Sequence, residues 1–193
     1  TLPYTSDATP GLYGTLWTNV TVAAGTTAVA GDLTVAPGVT LTLAPGATLS
    51  FATSDLMAAY ADTSRAELRV FGTLTAVGTS AAPITLTSTG AASATWVGVT
   101  LEASATGSSL DYVLVEEAVT GIFHGATVGQ ALRRLTLRTN NTGLRLSTSP
   151  ASDVDAVAAT LNSIGVQVDG IASPTFTNAL FTANTSRAFY ETG

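Results

Sequence analysis

Several of the residues of this chain able to do acid–base or ionic chemistry fall at regular intervals. Asp111, Arg133 and Asp155 stand 22 residues apart, and Glu116, beside Glu117, precedes Arg138 by the same step. His124 is the single histidine, and Asp153 and Asp155 form a close carboxylate pair. Glycoside hydrolysis needs two carboxyls at a set separation. Asp111 and Asp155 would lie about 9.6 Å apart if each step advances one strand spacing. Arg133 between them would hold both ionised, which is wrong for a general acid. Glu116 and Glu117, adjacent on a strand, point to different sides. A histidine doing acid–base work needs a partner group, whereas His124 falls at an inward position over Leu146 and reads as core. Calcium needs several oxygen ligands, and Asp153 with Asp155 reads more simply as a solvated face. The expectation is no catalytic residue, no cofactor and no metal. The residues expected to touch a ligand are Asp111, Tyr112, Arg133, Arg134, Arg138 and Asp155.

The interval itself comes from the elements that carry these residues. Leu110, Leu132, Val154 and Phe176 head four equivalent lines, each followed by apolar residues at alternate positions, as in Val113 and Val115. Farther along, Gly121-Ile122 stacks over Gly143-Leu144, Gly165-Val166 and Arg187-Ala188. Alternation marks strands with one buried face. Strands this short cannot form a sheet alone, so each line must bury its apolar positions on the lines above and below. The predicted fold is all-β, a single-stranded parallel β-helix (solenoid) of about six coils with three short strands per coil. Asn140, Asn162 and Asn184 share one position just after a strand, which predicts an internal asparagine ladder at a corner where a left-handed backbone suits asparagine. The columns Asp111/Arg133/Asp155 and Glu116/Arg138 predict cross-strand charge pairs contributing about 0.2–1 kcal/mol each.

Composition agrees. Of 193 residues 46% are hydrophobic but only 7% aromatic and 10% charged, so Ala, Val and Leu fill the interior. The net charge of −6, with every basic residue an arginine, argues against a nucleic-acid partner, whose backbone demands a positive surface. No run approaches a membrane span. Without cysteine there is neither a disulfide frame nor a thiolate metal site.

Taken in order, residues 1–30 break the pattern and are expected to cap one end of the domain formed by 31–193, with Tyr13 and Trp17 lying over the first coil. Gly31 to Phe51 reads as a three-sided coil turned by two Ala-Pro-Gly corners. Leu68 to Thr87 supplies most of the next. Between them Ala52 to Ala66 is an insertion carrying Asp55, Met57, Tyr60, Asp62 and Arg65, the kind of loop where binding resides. Leu56 to Tyr60 is expected to make a short helical turn. Threonines 40, 42, 48, 73, 75, 85 and 87, with Ser50, form a two-coil hydroxyl array. Such arrays can bind ice, although threonine's strand preference is a sufficient cause.

The pattern Gly31-x-Leu33-x-Val35-x-x-Gly38, followed by Leu41-x-Leu43-x-Pro45-Gly46, opens a specific resemblance. It continues through Gly72-Thr73-Leu74, Pro83-Ile84-x-Leu86-Thr87-Ser88 and Trp96-x-Gly98-Val99. This resembles the secreted right-handed parallel β-helix proteins of bacteria, within the pectate-lyase-like superfamily. The resemblance implies right-handed coiling and a secreted or cell-surface bacterial location. Paired aspartates and a Gly-His-Gly, the marks of polygalacturonases, are missing. The expected function is a non-catalytic module binding a polysaccharide or another surface protein, or acting as a rigid scaffold. A polysaccharide lyase or glycoside hydrolase stands second and an ice binder third. Phe176 to Gly193 still follows the repeat with no capping segment after it, so the expectation is either a fragment of a longer secreted protein or end-to-end self-association through an uncapped last coil.

Overall fold

The computed structural model describes residues 11–60, 62–127, 129–147, 153–170 and 172–192. The chain winds in three-sided turns. β1 (Leu12–Leu16), β2 (Val20–Val22) and the first half of β3 (Gly25–Val35) make the first turn. The rest of β3 with β4 (Thr40–Leu43) and β5 (Ala47–Phe51) makes the second, and β6 (Leu68–Val70), β7 (Thr73–Val77) and β8 (Ile84–Ser88) the third. The fourth is β9 (Trp96–Leu101), β10 (Ser109–Asp111) and β11 (Val113–Glu116). β12 (Ala118–His124), β13 (Ala131–Arg133) and β14 (Thr136–Arg138) follow, then β15 (Thr142–Ser147), β16 (Asp153–Asp155) and β17 (Ala158–Thr160). β18 (Ile164–Asp169), β19 (Thr175–Thr177) and β20 (Leu180–Thr182) complete the seventh, and β21 (Arg187–Thr192) begins another.

Each strand pairs in parallel with its equivalents one turn before and after. One side of the stack is a 7-stranded sheet from β2 to β19, and the other two sides share a 14-stranded sheet because β3 runs from one into the other. The protein is thus an all-β parallel solenoid. Among the described residues it has one turn more than the repeat alone predicts, because β1, β2 and the first half of β3 pair with β3, β4 and β5, with one register shift between Leu12 and Gly14. Leu12 and Leu16 are buried there, while Tyr13 and Trp17 are exposed, Trp17 at 63%, instead of lying over the coil. Residues 1–10 of the expected cap lie outside the described residues.

The predicted columns align. Leu110, Leu132, Val154 and Phe176 pair in sequence, as do Thr40 with Thr73 and Thr48 with Thr85. Only the last step departs from the 22-residue period. Asn184 still bonds Asn162, but Arg187 pairs with Ile164 and Phe189 with Val166, not Ala188 with Val166. The extra residue is absorbed where Ser186 and Arg187 both donate to the Ser163 carbonyl, at 2.9 and 3.1 Å. The slip brings Phe189 to the end of the core, with its ring 6.1 Å from Phe176.

The ladder forms as expected, for a different backbone reason. Asn140 donates from its backbone N–H and from Nδ2 to Asn162 Oδ1 (2.9 and 3.1 Å), and Asn162 repeats this toward Asn184. Each Nδ2 also donates to a carbonyl of a preceding strand, Val115, Leu137 or Ala159. The left-handed corner lies one residue earlier, at Glu117, Thr139, Leu161 and Ala183. A second left-handed column runs through Tyr112, Arg134, Ala156 and Asn178. None of the eight is glycine, so the stacked ladders on both sides must hold a conformation each residue would avoid alone. Inside, Phe51 and Trp96 stack at 4.1 Å, and Trp96 Nε1 donates to the Glu116 carbonyl at 2.8 Å.

Candidate functional site

The second left-handed column positions the predicted binding residues. A positive φ at Tyr112 (51°) and Arg134 (46°) turns both side chains off the corner between the sheet side of β10 and β13 and that of β11 and β14. One turn apart, they stack: the Arg134 guanidinium lies 4.6 Å from the Tyr112 ring centre. Asp111 accepts from Arg134 Nε at 2.7 Å and from a terminal nitrogen as well. The sequence pairs Asp111 with Arg133. The two are in register, but the corner geometry swings Arg134 back over the preceding turn and it takes the contact. Glu116 accepts from Arg138 Nε at 2.8 Å, as the charge column predicts.

Tyr112, Arg134 and Arg138, together with Pro83, Val113, Leu114 and Thr136, line a shallow depression of about 220 Å³. Arg138 uses Nε for Glu116, and among the described residues no acceptor meets its two terminal nitrogens. Arg134 likewise keeps one terminal nitrogen unengaged by Asp111. Two guanidinium edges therefore border an otherwise apolar floor. Arg133 and Asp155 stand on the adjacent side, outside the depression. Asp155 accepts from Thr177 Oγ1 (2.8 Å) and Asn178 Nδ2 (3.0 Å), and these bonds hold its carboxyl below the usual range. Such a group is a poor proton donor. Glu117 turns away from Glu116 and accepts from Thr87 and the Ser88 N–H.

His124 is fully buried over Leu146. Burial pushes its pKa down, and neither ring nitrogen has a partner among the described residues.

A second polar cluster escaped the sequence reading. Asp32 and Glu67, both buried, meet where β3 pairs with the segment entering β6, and Asp32 Oδ1 accepts from the Glu67 N–H at 3.1 Å. Arg69 lies 3.6 Å from Glu67, contacts Glu102 directly, and packs over the Tyr60 ring at 4.2 Å. Asp55 reaches in from the insertion and accepts from the Asp32 N–H at 3.0 Å. Burial raises Asp32 to about 6, with the Asp55 charge adding, and raises Glu67 to about 7 against the pull of Arg69. Leu56 to Tyr60 forms no helical turn; Ala58 and Tyr60 are left-handed instead. Among the described residues no group of three His, Asp or Glu side chains is arranged to hold a metal ion.

The fold and these sites define a parallel β solenoid with an arginine-bordered depression on one corner. Comparison with protein-family models, curated proteins and solved structures returned no match.

Proposed function

We propose that the protein is a non-catalytic β-helix module, carried outside a bacterial cell, that grips an acidic glycan in the corner depression. The observation that carries this reading is that Arg134 and Arg138 line one depression with Pro83, Val113, Leu114 and Tyr112, the Tyr112 ring lying against Arg134. A planar guanidinium matches a carboxylate or sulfate in two parallel bonds. An aromatic ring with apolar neighbours suits the face of a sugar. Asp111 and Glu116 orient the arginines and offset their charge, which leaves the site suited to a repeating polyanion of moderate affinity. Kinship with the secreted pectate-lyase-like proteins, and export itself, rest on the glycine, proline and leucine pattern of residues 31–99.

The test is an array of uronate-rich and sulfated polysaccharides beside neutral ones, run with reducing-sugar and unsaturated-product assays. Selective binding of acidic glycans without turnover is expected. Turnover would show an enzyme, and failure to bind any acidic glycan would remove the glycan reading.

A further inference from the structure

We propose that residues 52–60 form a pH-governed lid, latched to β3 in mildly acidic surroundings and released toward neutrality as the carboxyls sealed beneath it ionise.

The segment leaves the stack after β5 and lies across the outer side of β3. Its attachments are few and polar. Leu56 N–H donates to the Ala30 carbonyl (3.2 Å), Ala59 N–H to Asp32 Oδ2 (3.3 Å), and the Tyr60 hydroxyl bonds Thr34 Oγ1 (2.9 Å). Asp55 Oδ1 accepts from both Asp32 and Met57 N–H groups, at 3.0 and 2.8 Å. Apolar packing adds little, since Leu56, Met57 and Tyr60 are 58%, 42% and 44% exposed. Ala58 and Tyr60 have φ of 47° and 57°, a conformation non-glycine residues keep only while the surroundings enforce it.

The close approach is built into the strand. A Cβ on Gly31 would stand 2.7 Å from Asp55 Oδ1 and 3.1 Å from the Leu56 and Met57 nitrogens. Only glycine lets the segment lie this near.

The charged and titratable groups that meet there come from every element in contact. Asp32 is on β3, Asp55 and Tyr60 on the segment, Glu67 and Arg69 at β6, and Glu102 just past β9. Four carboxyls thus face one guanidinium. Arg69 is committed to Glu67, Glu102 and the Tyr60 ring, so Asp32 and Asp55 face each other without a cation. Asp55 Oδ2 is buried with no hydrogen-bond partner among the described residues.

The sign follows from where the protons sit. Asp32 and Glu67 titrate near 6 and 7 when covered, against ordinary values of 3.8 and 4.5. The covered state therefore keeps protons that the opened state gives up. Its advantage is complete below about pH 4 and is lost as pH rises through 6 to 7. Release carries Leu56, Met57 and Tyr60 into solvent and bares the row Glu67, Arg69 and Glu102. This lid is independent of the glycan depression.

Hydrogen exchange of the whole chain, corrected for intrinsic rates, tests it between pH 4.5 and 8. The readouts are the Leu56, Met57 and Ala59 amides, with the Asn140 amide in the ladder as internal reference. Lid protection is expected to fall by about tenfold or more, the equivalent of one pKa unit, while Asn140 holds. Asp55→Asn keeps the accepting oxygen but removes the charge, and its lid should lose less protection by pH 8 than the wild type's. Gly31→Ala should leave the lid unprotected at every pH. Constant lid protection in the wild type, an unaltered pH response in Asp55→Asn, or a protected lid in Gly31→Ala would each overturn the proposal.

Discussion

His124 pairs in register with Leu146, so an imidazole occupies the same inward column as Leu101, Leu146 and Val168. It is fully buried and both its nitrogens are unpartnered among the described residues. Leaving such a group unsatisfied costs about 1–3 kcal/mol. His124→Leu is therefore expected to stabilise the fold by that order, raising Tm by about 2–4 °C per kcal/mol in a chain of this size. Because burial depresses the histidine pKa, its share of stability is present above its ordinary 6.5 and is lost as pH falls below it. In thermal melts from pH 7.5 to 5 the advantage of the leucine variant over the wild type should widen toward acid. A difference that stays constant with pH would refute the assignment.

The ladder predicts a graded series. Asn162→Ala strips an acceptor from the Asn140 N–H and side chain, a donor from the Leu137 carbonyl, and one of the two donors from the Asn184 amide oxygen. With several buried groups left unpaired, the expected loss is about 3 kcal/mol or more. Asn184→Ala, in the last rung, should cost less. Urea unfolding of the two variants measures the ranking, and a reversed order would mean the ladder is not what holds the corner.

Glycines mark two close approaches with different causes. At Gly98, φ is +119° and a Cβ would meet the Thr120 carbonyl oxygen at 1.7 Å. The register shifts there to admit an extra residue between Thr120 and Ile122. At Gly143 the backbone is ordinary, but a Cβ would lie 2.6 Å from the Gly165 carbonyl and 3.1 Å from the Asn162 amide. Gly98→Ala is expected to prevent folding or to cost more than Gly143→Ala, since it combines strain with collision. Circular dichroism and denaturant midpoints would decide, and a benign Gly98→Ala would count against the bulge geometry.

For the depression, Arg134→Ala and Arg138→Ala should each weaken binding to an acidic glycan by about tenfold. Arg133→Ala, on the neighbouring side, should leave it within about twofold. All three should stay folded, because exposed ion pairs contribute only about 0–1 kcal/mol. Isothermal titration of the three proteins against one uronate oligomer gives the comparison. Equal effects from Arg133 and Arg138 would signal unspecific charge attraction.

Legibility followed the spacing. Where the step is constant, as from Leu110 to Phe176, columns can be read directly, so the Asn ladder, the Glu116–Arg138 pair and the inward His124 were all visible. Asp32 and Glu67 were not, because 35 residues separate them and the insertion interrupts the count. Their one trace was the place of Glu67, between the end of the insertion and the start of β6. The left-handed corners were also hidden, since alanine, arginine, tyrosine and leucine give no local sign of positive φ. Neighbouring turns impose that conformation.

The chain alone therefore determined the stacking, because alternating apolar residues at a fixed interval can be buried only against their own equivalents. It also determined which residues face outward on the regular turns. Tertiary structure alone decided which arginine Asp111 holds, that two corner side chains join beside a depression, and that four carboxyls gather under one loop. Those outcomes depend on backbone angles and on contacts across an irregular number of residues, neither of which a periodic pattern encodes.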